Sequence, residues 1–273
     1  MSAAAAASGP AAAVGPPTLE SALREARDAG RKLLVPYITG GLGDDWPEVL
    51  SAVAAAGADA VEIGIPFSDP VMDGPVIQEA SAAALAGGAT PTSILAQLAA
   101  VDVEVPTVAM TYYNLVFRAG ELRFARMLAE AGVSGAIIPD LPLDESASWE
   151  REAASAGVAT VLLAAPVTTD ERLAAIAART RGYVYAVGRM GITGERVDVA
   201  SSSASIARRL AALTDVPVLV GFGISTPAQA VQVCAEADGV IVGSALVRRL
   251  LEGGGPDAAA AFVSQLRTAI DGG

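Results

Sequence analysis

The sequence predicts an α/β fold: a single (β/α)8 barrel of the TIM type with extra short helices. Two observations carry this. Eight short apolar runs alternate with Ala-rich amphipathic segments across the chain of 273 residues, and a closed barrel of eight such units takes about 250 residues. No GxGxxG follows the first run, which disfavours a doubly wound open sheet.

Residues 1–17 are uncharged Ala/Pro/Gly sequence (MSAAAAASGPAAAVGPP), read as a flexible tail ahead of a catalytic domain over 18–273. The first basic residue is Arg24, so the tail lacks the basic start of a secretory signal. Thr18 is placed to cap a helix running to Ala29. The apolar runs are Leu33–Thr39, Ala60–Gly64, Thr107–Thr111, Gly135–Pro139, Ala159–Ala164, Tyr183–Val187, Val216–Gly221 and Gly239–Val242. Each lacks polar alternation, as parallel strands covered on both faces do. Helices are expected over Asp45–Ala56, Val76–Ala86, Leu122–Ala131, Asp144–Ala156, Asp170–Arg179, Ser202–Leu213, Thr226–Ala235 and Pro256–Ile270, with an extra one over Thr92–Ala100. Ala-Gly pairs at Gly57, Gly132 and Gly157 mark helix ends.

Composition narrows the chemistry. The net charge is −12, which argues against nucleic acid or anionic membrane as a partner held by bulk charge. No apolar run reaches a membrane span without Gly, Pro or charge, so a cytoplasmic protein is expected. There is no histidine, and Cys234 is the one cysteine, which removes imidazole-dependent nucleophilic catalysis, a disulfide and the usual zinc sites; no metal is expected. The one lysine, Lys32, precedes the first strand, at the wrong end of a barrel for a Schiff base. Proton transfer falls to Asp, Glu and Tyr.

Active sites of such barrels lie at the C-terminal ends of the strands, and three loops there are informative. The second strand carries Glu62 inside an apolar run, followed by a Pro-rich loop that reaches Asp73 before Gly74-Pro75. Burial at the barrel mouth raises a carboxyl pKa and suits Glu62 to move protons near neutral pH. Asp73 by itself reads equally well as a turn or cap residue. The loop after the sixth strand, Gly188–Arg196, has three glycines and a threonine, as a mobile lid does. The ends of strands seven and eight, Gly221-Phe222-Gly223-Ile224-Ser225 and Gly243-Ser244-Ala245, offer backbone N–H groups and a helix start, a phosphate site that needs no lysine.

These residues resemble the tryptophan synthase alpha subunit family. The resemblance is carried by Val61–Pro75 (VEIGIPFSDPVMDGP), Pro139–Pro142, Gly191–Gly194, Gly221–Ser225 and Gly243–Ala245, in order and spacing, and it spans about Leu33 to Leu250. Departures are the turn Thr39–Asp45, Met72 where alanine is usual and Gly188 where serine is common.

The resemblance implies retro-aldol cleavage of indole-3-glycerol phosphate to indole and glyceraldehyde 3-phosphate. It implies Glu62 as the proton-transfer group, and Asp73 as the group that holds the indole N–H. Tyr185 would position Glu62 or the substrate, and Tyr37, Met110, Tyr112 and Asp140 would surround the indole pocket and its floor. Gly194, Gly223, Gly243 and Ser244 would bind phosphate, while Thr193 would dock the lid over Asp73 and Arg189 would help hold it shut. The chain would need no cofactor. Its implied partner is the beta subunit, carrying pyridoxal phosphate and receiving indole in an αββα heterotetramer, with Pro66, Asp69, Pro70, Asn114 and Pro142 near the interface. The alternatives are a stand-alone indole-releasing lyase, a non-catalytic activator of a beta subunit, and another phosphate-binding barrel. Retention of both Glu62 and Asp73 speaks against the activator.

Overall fold

The computed structural model describes residues 18–188, 199–221 and 223–273. The tail through Pro17 lies outside them, as do Arg189, Thr193 and Gly194. The elements run α1 (Leu19–Asp28), β1 (Leu33–Thr39), α2 (Trp46–Ala55), β2 (Val61–Gly64), α3 (Pro75–Ala86), α4 (Pro91–Leu98), β3 (Thr107–Met110), α5 (Tyr113–Ala119), α6 (Glu121–Glu130) and β4 (Gly135–Ile137). They continue with α7 (Ala147–Ser155), β5 (Ala159–Ala164), α8 (Asp170–Arg179), β6 (Val184–Val187), α9 (Val199–Ala211), β7 (Val218–Gly221), α10 (Pro227–Cys234), β8 (Gly239–Val242), α11 (Ser244–Leu251) and α12 (Gly255–Gly272). The strands close in sequence order into one parallel barrel, β8 returning to β1 through Leu33 opposite Gly239. The expected eight-stranded barrel is the fold found.

Two apolar layers follow from strand alternation. On β1, Leu34 and Ile38 face outward into the layer between barrel and helices. Leu33 and Val35 face inward, where they meet Val108, Ile137, Val161, Leu219 and Ile241 from other strands. Helix α1 plugs the lower end. Its Thr18 cap accepts from the Ser21 N–H, as the sequence suggests, and Leu19 and Leu23 enter the barrel interior. Glycines make that room: a Cβ on Gly135 or Gly182 would fall 2.6 Å from the Leu19 side chain. Arg267 of α12 closes the same end by donating to the Lys32 carbonyl at 2.8 Å and to Asp59 at 3.2 Å. Lys32 is occupied there too, its Nζ donating to the Ala237 carbonyl at 2.9 Å. Cys234 is buried on α10 as a small core residue.

Boundary differences are small, with one added element. The runs from Ala60, Tyr183 and Val216 enter their ladders one or two residues late, at Val61, Val184 and Val218. The run to Pro139 leaves its ladder at Ile137. α7 begins at Ala147 rather than Asp144 because turns intervene, with Glu145 N–H donating to Pro142 O and Ser146 N–H to Leu143 O. Helix α5 has no counterpart in the expected set.

Candidate active site

Leu19 and Leu23 fill the barrel interior at the lower end, whereas buried ionisable side chains, Glu62 among them, stand toward the upper end. Glu62 stands on β2 in register with Tyr37 of β1 and Val108 of β3. Its side chain points inward and is 1% exposed. Tyr183, just ahead of β6, donates from Oη to Glu62 Oε1 at 2.5 Å. β2 and β6 are four strands apart in the closed order, so this phenol spans the lumen from the opposite wall. Glu62 Oε2 is buried with no hydrogen-bond partner among the described residues. Burial pushes the Glu62 pKa up to about 8, and the Tyr183 hydrogen bond pulls the other way.

Asp73 sits just before the start of α3 at Pro75 and is partly buried. Burial raises its pKa, against a lowering hydrogen bond from Tyr112. Tyr112 fixes the loop that carries Asp73. Its ring stacks on Phe67 with centroids 5.3 Å apart, and its Oη accepts the Met72 N–H at 2.9 Å. Gln78 donates from Nε2 to the Asp73 carbonyl at 2.8 Å, tying the loop to α3.

Tyr37 and Tyr185 complete the ring of phenols. Both are buried and both hydroxyls have raised pKa values, first from burial and then from Asp73 and Glu62 nearby. Glycines accommodate them. A Cβ on Gly64 would fall within the Tyr37 hydroxyl, and one on Gly221 within the Tyr185 hydroxyl. Met110 is half-buried at the top of β3, against the groups that contain Tyr37 and Tyr185. The mouth is therefore lined by aromatic faces and a thioether around two carboxyls, suited to a flat apolar ring with one polar edge.

On the far side, Gly223 has φ +81° and is exposed. Gly243 precedes α11, and Ser244 is its exposed first residue. Both backbones are free of a side chain that would block an anion, and the α11 dipole favours one.

One partner was missed in the sequence reading. Tyr183, not singled out there, is the residue bonded to Glu62, whereas Tyr185 lies one inward position higher. The i, i+2 spacing of the two tyrosines shows that they share a face, but only barrel closure shows what the lower one meets. Asp140 is exposed and accepts the Tyr113 N–H at 2.8 Å, at the start of α5.

A family model described as "Tryptophan synthase alpha chain" matches residues 23–269. The chain belongs to the tryptophan synthase alpha chain family. It is 44% identical over 262 residues to the tryptophan synthase alpha chain of Streptomyces coelicolor, covering 93% of this chain and 94% of that one. The alpha chain of Methanosarcina mazei is 45% identical over 240 residues, covering 87% and 88%. Among solved structures, a chain of Mycobacterium tuberculosis tryptophan synthase in space group F222 superposes with TM-score 0.84 at 39% identity, covering 93% of this chain and 98% of that one. Subunit alpha from Legionella pneumophila gives TM-score 0.82 at 34% identity, covering 93% and 98%. The alpha subunit is the lyase that cleaves indole-3-glycerol phosphate to indole and glyceraldehyde 3-phosphate.

Proposed function

We propose that this chain performs the family's cleavage with Glu62 as the proton-transfer group and Asp73 as the anchor of the indole N–H. The observation that carries the reading is the unpartnered, buried Oε2 of Glu62, beside an Oε1 already held by Tyr183. With its pKa up at about 8, Glu62 is protonated at neutral pH and the proton rests on the free oxygen.

Glu62 gives that proton to C3 of the indole. The ring becomes a cation whose N–H donates to Asp73. The Glu62 carboxylate then takes the proton of the hydroxyl on the carbon attached to C3. The C3–carbon bond breaks and its electron pair neutralises the ring. The hydroxyl carbon leaves as the aldehyde of glyceraldehyde 3-phosphate, and Glu62 is again protonated. The substrate's own ring is the electron sink, so no lysine imine is required. The aromatic walls formed by Tyr37, Met110, Tyr112 and Tyr185 hold the ring. Backbone N–H groups at Gly194, Gly223, Gly243 and Ser244 hold the phosphate, and Thr193 and Arg189 hold the lid over Asp73.

The chain itself needs no cofactor in this reading. It works with a beta subunit that carries pyridoxal phosphate and takes up the indole, in an αββα assembly in the cytoplasm. Pro66, Asp69, Pro70, Asn114 and Pro142 lie on the face toward that partner.

The test is indole release from indole-3-glycerol phosphate by the purified chain, with and without a beta subunit. Slow release accelerated by the partner is expected, with no cleavage but nearly unchanged substrate binding in Glu62→Gln. Turnover near the wild-type rate in that variant would overturn the role of Glu62. Fast release without the partner would favour a stand-alone lyase.

A further inference from the structure

Helix α5 starts without a cap of its own. The residue ahead of it is Tyr112, which makes no side-chain capping bond. The missing acceptor comes from the loop after β4, where Asp140 Oδ1 takes the Tyr113 N–H at 2.8 Å. A carboxylate there also meets the positive end of the helix dipole.

That loop is itself held firmly. Arg179, at the end of α8, donates to both Glu150 carboxylate oxygens at 3.0 and 2.7 Å, to Ser146 Oγ at 2.9 Å and to the Leu143 carbonyl at 2.8 Å. Asp140 stands just ahead of that anchor and is bonded to the residue that follows Tyr112. On the inner side, Tyr112 stacks on Phe67 and accepts the Met72 N–H, so its own hydroxyl proton is left for the adjacent Asp73 carboxylate.

We propose that Asp140 is a positioning residue for Asp73, acting through the first turn of α5 and the hydroxyl of Tyr112. The inference rests on the reading of Asp73 as the acceptor of the indole N–H. Asp140 touches no substrate. It sets where Tyr112 stands, and Tyr112 holds the backbone beside Asp73 by accepting the Met72 N–H. Loss of Asp140 lets the first turn of α5 shift, which moves Asp73 away from the indole edge without altering Glu62.

The test uses a pair of unreactive ligands, 3-(indol-3-yl)propyl phosphate and its N1-methyl counterpart, titrated calorimetrically into the full chain. A hydrogen bond to a charged group contributes about 1.5–3 kcal/mol, so the wild type should prefer the N–H ligand by about tenfold or more. Asp140→Ala should reduce the preference to below about threefold. Asp140→Asn keeps an acceptor for the Tyr113 N–H and should restore it. Tyr112→Phe should reduce it equally, and the double variant Asp140→Ala with Tyr112→Phe should lose no more than either alone.

A wild type that does not distinguish the two ligands would remove the reading of Asp73 and the inference with it. A wild type that distinguishes them, with Asp140→Ala distinguishing them equally, would overturn the inference and leave the Asp73 reading standing. Failure of Asp140→Asn to restore the preference, or loss of folding in Asp140→Ala, would assign Asp140 to the scaffold and overturn the proposal.

Discussion

Replacing Tyr183 with phenylalanine removes one oxygen and leaves the ring that fills the barrel. Tyr183 is fully buried and its hydroxyl donates to Glu62 at 2.5 Å. A hydrogen bond to a carboxylate stabilises the charged form by about 1.5–3 kcal/mol, and the neutral acid retains part of that bond. The difference between the two protonation states is therefore about 1–2 kcal/mol, or roughly one pKa unit. The sign follows from the donor: its loss disfavours the carboxylate, so the Glu62 pKa rises from about 8 toward roughly 9. In the proposed mechanism cleavage begins with the protonated acid, so kcat should fall on the alkaline side as Glu62 loses its proton. The assay is the pH profile of indole release, with the Glu62 carboxyl followed in parallel by infrared difference spectroscopy. Tyr183→Phe should move the alkaline limb up by about one unit, and the carboxyl band should titrate with it. An unmoved limb, a limb shifted to lower pH, or an equal loss at every pH would refute the reasoning.

Other perturbations reach different parts of the molecule. Glu62 has a folded pKa raised from 4.5 to about 8, so its contribution to stability is complete below pH 4.5 and declines as pH rises through 8. The slope is about 1.4 kcal/mol per pH unit. Glu62→Gln should therefore be more stable than the wild type at pH 9 by roughly 3–5 kcal/mol relative to the same comparison at pH 4, measured by denaturant unfolding at the two pH values. Gly64→Ala places a methyl within the Tyr37 hydroxyl. It should raise KM for indole-3-glycerol phosphate severalfold and lower stability by about 1–3 kcal/mol; unchanged kinetics would show that Tyr37 moves aside freely. Arg267→Ala leaves Asp59, whose side chain is 7% exposed, with Arg31 as its ion-pair partner. That should cost about 2–4 kcal/mol in urea unfolding while kcat of the folded enzyme stays near wild type, because the cluster lies at the end of the barrel away from Glu62.

What could be read from the chain divides along physical lines. The strands were legible because a parallel barrel buries both faces, leaving short apolar runs rich in β-branched residues. Their ends were less so: Pro139 continues the apolar run but has no N–H for the ladder, which stops at Ile137. Caps made within four residues were legible in principle, as at Thr226 and Gln229, which bond reciprocally at the start of α10. Helix α5 was not, because its cap is Asp140, far along the chain and on another loop. The same holds for the carboxyls. Glu62 stood out as a charge in an apolar strand, whereas its partner Tyr183 opened an apolar run of its own and carried no signal of a role. The relation between them exists only once β6 closes opposite β2.

The two ends of the barrel show why that relation is retained. At the lower end the Asp59 carboxylate is answered: it meets Arg31 and Arg267 and also accepts the Leu34 N–H at 2.8 Å. Leu19 and Leu23 exclude water from the interior beside it. At the upper end one buried carboxylate oxygen has no partner and the group is kept neutral by burial. Adding a cation beside Glu62 would satisfy that oxygen and lower its pKa, improving stability at neutral pH. In the proposed mechanism it would also remove the proton that goes to C3 of the indole. A phenol is the compromise that fits both demands. It donates one hydrogen bond, fixes the carboxyl in place and carries no charge, so the pKa stays near working pH and the second oxygen stays free. A barrel whose lower end is tightly closed can retain an unsatisfied carboxyl oxygen at its mouth, and in the proposed mechanism that group is where the chemistry begins.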